Sequence, residues 1–125
     1  MWRVSDEQFG QILTDAIDSL SDENRQATKN IAIIYLDDPT LEQREQLKLR
    51  CDQTLFGLYE GVPLSKRQGQ SKILPDKITI FKHPIESSVS DMAGLKKQIR
   101  HTLWHELAHY YGLDHDLIAK IDLKN

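Results

Sequence analysis

Four of the five histidines fall within HTLWHELAHYYGLDHD, residues 101–116. Counted from His105, the pattern is H-E-x-x-H-x-x-G-x-x-H, with Glu106, His109, Gly112 and His115 at its fixed positions. On an α-helix, positions 105 and 109 lie about 40° apart around the axis and one turn apart along it. Two imidazoles on adjacent turns can therefore share one metal ion at roughly 2.0–2.1 Å. The next turn points away, so a straight helix does not easily supply a third ligand. Gly112 answers this by letting the chain turn sharply, which brings His115 back towards the same ion. Three protein ligands leave the fourth position of a tetrahedral zinc open, the catalytic rather than the structural arrangement.

Glu106 follows His105 and is expected on the helix surface, within reach of water at the metal but not itself a ligand. With zinc as Lewis acid, it would take the proton of the attacking water and return it to a leaving amine. At 100° per residue, His105 and His109 point roughly 120–160° away from Leu103 and Leu107, so one side of the helix packs and the other lines a cleft. His101 extends the histidine row one turn earlier and reads as a surface residue or one standing behind the ligands. Tyr59, Tyr110 and Tyr111 each carry a hydroxyl able to stabilise an oxyanion, although such tyrosines more often simply pack. Asp114 and Asp116 flank His115 and could orient its ring, cap a helix or replace it on the metal.

The 125 residues suit one domain spanning 1–125, with a modest core. A net charge of −3 argues against broad phosphate neutralisation, so nucleic acid is not the expected partner. The single cysteine, Cys51, has no internal disulfide partner, and nothing around it resembles a thiol-activating site. The opening residues MWRVSDEQFG contain no apolar signal region, and no run approaches the roughly 18 apolar residues of a membrane span. Cytoplasmic placement is the expectation, with no membrane partner.

Ser5 with Gln8 forms a capping box, and Phe9, Ile12, Leu13, Ala16, Ile17 and Leu20 follow helical spacing, which predicts a helix over 5–20. IAIIYL at 31–36 reads as a buried strand closed by Asp37-Asp38-Pro39. Thr40 and Gln43 suggest a second capping box and an exposed helix to about residue 50. A short strand near 55–60 leads into a long loop. KITIFK at 77–82 reads as a strand ended by His83-Pro84. A long helix then runs from near 88–91 to Tyr111 on a stripe of Met92, Leu95, Ile99, Leu103 and Leu107, and Gly112 closes it. A short helix over 115–121 is expected last. The order helix, strand, helix, strand, strand, helix, helix gives an α+β class with a small sheet.

HELAHYYGLDH resembles the metzincin form of the zincin signature, and LFGLYEGVPLSKR and ILPDKITIFKHPIE resemble the small bacterial zincin-like metallopeptidases. The resemblance spans roughly residues 30–121. It implies a minimal zincin-like α+β fold, a small sheet packed on the N-terminal helix and the long HExxH helix, with Zn2+ as cofactor. By position, His105 and His109 would be ligands and Glu106 the general base. An acidic residue is common in that family where His115 stands here. Met1 and Met92 both precede His115, so the methionine turn of full metzincins has no counterpart among these residues.

The leading expectation is thus a zinc-dependent metallopeptidase acting on a peptide or protein substrate. Were strand 77–82 an edge strand near the cleft, it would hold an extended peptide by strand addition. Two alternatives stand beside it. The spacing of His105, His109 and His115 also fits the H-x3-H-x5-H site of bacterial rRNA-maturation endonucleases, a family with glycine where Glu106 stands. The third reading is a zinc-stabilised binding module without turnover, which Glu106→Gln distinguishes.

Overall fold

The computed structural model describes residues 2–50, 56–61 and 76–112, leaving aside the side chains of 46–50. These residues form five helices and a three-stranded sheet, an α+β fold. The expected helix over 115–121, Cys51 and most of the loop after residue 60 lie outside the described residues.

Helix α1, Asp6–Asp18, begins at the expected capping box: Ser5 Oγ accepts from the Gln8 N–H at 3.1 Å, and Gln8 Oε1 accepts from the Ser5 N–H at 3.0 Å. Its apolar face, Phe9, Ile12, Leu13 and Ala16, is buried. Helix α2, Asp22–Thr28, is not expected from the sequence. DENRQAT carries no apolar periodicity, and what starts it is the Ser21 hydroxyl accepting from the Asn24 N–H. Strand β1, Ile31–Leu36, and helix α3, Leu41–Arg50, fall where their patterns put them, α3 with the reciprocal Thr40–Gln43 bonds of a capping box.

Strand β2, Gly57–Glu60, and strand β3, Asp76–Phe81, complete the sheet in the order β1-β3-β2. β1 runs parallel to β3 with Ile33 opposite Ile78, and β2 runs antiparallel with Tyr59 opposite the same residue. This corrects two expectations. β3 is the central strand, paired on both sides, so it has no free edge for a peptide. β1 is not buried throughout: it lies at the end of the strand order, and Ile34 and Leu36 are 38% and 36% exposed.

Helix α4, Lys82–Ser88, is a third correction. His83-Pro84 reads as a stop, yet Pro84 falls in the first turn, where its missing N–H is one that has no helical partner anyway. The His83 N–H donates to the Asp37 carbonyl at 2.9 Å, and its Nδ1 lies 2.8 Å from Asp38 Oδ2, which ties the ends of the parallel strands together. Helix α5, Met92–Tyr111, starts on Asp91, whose carboxylate accepts from the Gly94 N–H at 2.7 Å. It ends at Gly112 with φ 83°, the left-handed closure expected of that glycine. Of its core stripe, Leu95, Ile99, Leu103 and Leu107 are fully buried, while Met92 in the first turn stays 36% exposed.

The core lies between one face of the sheet, with Ile78, Ile80 and Tyr59, and the inner faces of α1 and α5. Among the described residues no helix is long and apolar enough to cross a membrane.

Candidate metal centre

The candidate ligands sit on the C-terminal part of α5, a helix held by several neighbours at once. It packs on α1, β2 and β3, and the buried Leu103 and Leu107 anchor it from beneath. His105 and His109 stand half-buried, away from those leucines, as the helical angles require. Their ring centroids are 4.9 Å apart, with the planes at 73°, edge to face.

Glu106 departs from expectation. It is 2% exposed, buried rather than on the surface. Its Cα direction lies only about 60° around the axis from that of Leu103, on the flank of the core stripe, and β2 crosses over that flank. Even so, one donor atom from each of His105, Glu106 and His109 falls within 4.8 Å of the other two. His105 Nε2 and Glu106 Oε2 are both shielded from solvent.

Two donors on one tetrahedral zinc ion sit roughly 3.3 Å apart, so modest side-chain rotation closes this spread onto a single ion. Imidazole nitrogen is a ligand type zinc takes, and a carboxylate beside two such donors would be placed to accept a proton from water at the ion. On geometry and donor chemistry the residues fit a zinc ion. His115, Asp114 and Asp116 lie outside the described residues.

The other candidates separate. His101 is exposed on α5. Tyr59 is 1% exposed and its hydroxyl donates to Asp76 Oδ2 at 2.9 Å, so it is committed to the interior. Its ring meets Tyr110 edge-on at 6.0 Å. Tyr111 donates to Asn24 Oδ1 at 2.8 Å and ties α5 to α2. Partial burial, with the negative field of Glu23 and the neighbouring Tyr110 behind it, raises the Tyr111 pKa above the ordinary phenol value.

Three residues around this region go unremarked in the sequence. Thr102 and Asp76 are buried polar residues, and Gly57 sits in β2 where the strand meets α5. Only Gly57 carries a signal: a glycine inside a strand marks a bulge or a close backbone approach.

The zincin-like metallopeptidase family model matches residues 28–124. The chain belongs to that family. No curated protein matches it. The match takes in β1 through α5, so in this zincin-like chain the capped helix α1 lies outside the matched stretch and packs on α5 within it.

Proposed function

We propose that this zincin-like chain is a zinc-dependent peptidase with His105, His109 and His115 as metal ligands and Glu106 as general base. The observation that carries the reading is the convergence of His105, Glu106 and His109 on one helix, inside the region matched to the family. His115 enters by its place in the motif, three residues after the left-handed Gly112 that ends α5.

Zinc held there supplies Lewis acidity, polarising a carbonyl and acidifying water. The chain's own residues do the rest. The imidazoles of His105 and His109, set one turn apart on a helix anchored by buried leucines, bring two nitrogen donors to the same side of that helix. The Glu106 carboxylate takes a proton from the attacking water and delivers it to the departing amine nitrogen. Burial against β2 holds that carboxylate in place instead of letting it sample solvent. β2 also pairs on one side only among the described residues, so an extended peptide adds to β2, beside Glu106, and not to the central β3. An RNA-cleaving H-x3-H-x5-H centre gives no role to a buried glutamate between its first two ligands, which favours the peptidase.

The test is Glu106→Gln, assayed on labelled casein with zinc content measured in parallel. Retained zinc with hydrolysis abolished supports the reading. Retained hydrolysis contradicts it. A zinc-loaded wild type that cleaves nothing, with the variant altering melting temperature alone, makes the chain a binding module instead.

A further inference from the structure

We infer that Gly57 is the residue that positions Glu106. This rests on the reading of Glu106 as general base, but the contact itself is independent of it. Gly57 is an ordinary strand residue: its φ is not positive, unlike those of Gly61 and Gly112, so backbone conformation does not demand glycine. Space does. A Cβ on Gly57 would lie 2.8 Å from Thr102 Cγ2, 3.1 Å from Glu106 Cγ and 3.3 Å from the Thr79 carbonyl oxygen. Contacts between carbon atoms are comfortable at about 3.5–4.0 Å, so the first two must give way if any side chain is added.

What gives way follows from the surroundings. α5 as a body is held by Leu95, Ile99, Leu103 and Leu107, all fully buried in the core. β2 is held by its ladder to β3, with Gly57 opposite Ile80. Thr102 is β-branched, and its Oγ1 accepts from Gln98 Nε2 at 3.1 Å, a bond lost if the methyl swings aside. Glu106 is unbranched at Cβ and so has more rotamers open to it than a β-branched residue. A methyl at residue 57 therefore moves Glu106. Neither His105 nor His109 supplies any of the three atoms nearest to that Cβ, so both are expected to stay where they are. The absent side chain thus sets the distance between the strand and the glutamate.

Thr102 separates the two consequences. Thr102→Ser removes the 2.8 Å contact but leaves the 3.1 Å contact with Glu106. In a Gly57→Ala/Thr102→Ser double variant, thermal stability should return towards wild type while Glu106 stays displaced. A purely structural role for Gly57 would restore both together.

The experiment is a set of crystal structures of wild type, Gly57→Ala and the double variant, with melting temperature, zinc content and casein kinetics. Expected are a Glu106 Cγ displaced by at least a few tenths of an ångström in both proteins that carry Gly57→Ala, unchanged His105 and His109, unchanged zinc content, and kcat lowered roughly tenfold to a hundredfold at similar KM. A Glu106 side chain superposing on wild type in either of those proteins, with β2 or Thr102 having moved instead, overturns the inference. The double variant decides the matter if Gly57→Ala alone does not fold. A wild type that takes up no zinc defeats the peptidase reading, yet the Glu106 position in the metal-free crystals still judges Gly57.

Discussion

The Tyr59 hydroxyl donates to Asp76 Oδ2 at 2.9 Å, joining the middle of β2 to the first residue of β3 where both residues are almost wholly buried. The same tyrosine ring meets Tyr110, one turn beyond Glu106 on α5. One side chain thus secures the strand that lies against the candidate base.

Tyr59→Phe keeps the ring and takes one donor from a buried carboxylate. Such a loss costs about 1–3 kcal/mol. Urea unfolding should show it, with zinc content unchanged.

Lys82 and Glu86 make a buried ion pair at 3.6 Å on α4, and Glu86 Oε2 also accepts the Val4 N–H at 2.8 Å. Lys82→Met leaves the Glu86 charge in the interior without that cation, a change worth about 3–5 kcal/mol. Lys82→Met/Glu86→Gln removes the charge as well and should lie closer to wild type than the single variant. A double variant destabilised by the sum of Lys82→Met and Glu86→Gln measured singly in denaturant titrations would show that the pair is not coupled.

Gly112 closes α5 in the left-handed region, where a Cβ is strained by about 1–2 kcal/mol. Gly112→Ala should lower stability by that amount. With His115 as the proposed third ligand, three residues after this turn, the variant should also weaken zinc binding in a competition titration. A Gly112→Ala protein with wild-type zinc affinity would place the third ligand elsewhere.

Elements with their own local signals are legible in the sequence. Ser5–Gln8, Thr40–Gln43 and Gly112 each announce a helix end by chemistry that acts within a few residues, and each is found there. α2 escapes such a reading because a seven-residue polar helix has no face to pattern. α4 escapes it because proline stops a helix only from inside, and Pro84 is in the first turn. The central place of β3 depends on which strands meet after a crossover, which no residue of KITIFK encodes. In the candidate site, the spacing of His105 and His109 is readable because one helix sets it. The burial of Glu106 is not, since it comes from β2, about 50 residues away in sequence, approaching closely enough to require glycine.

Metal content of chelator-free protein, measured by elemental analysis for wild type and His109→Ala, tests the metal centre most directly. About one zinc per chain in the wild type, lost in His109→Ala with the fold retained by circular dichroism, is the expected result. Wild-type protein that takes up no zinc even when it is supplied, or His109→Ala protein that keeps it, would contradict a metal centre built on these histidines.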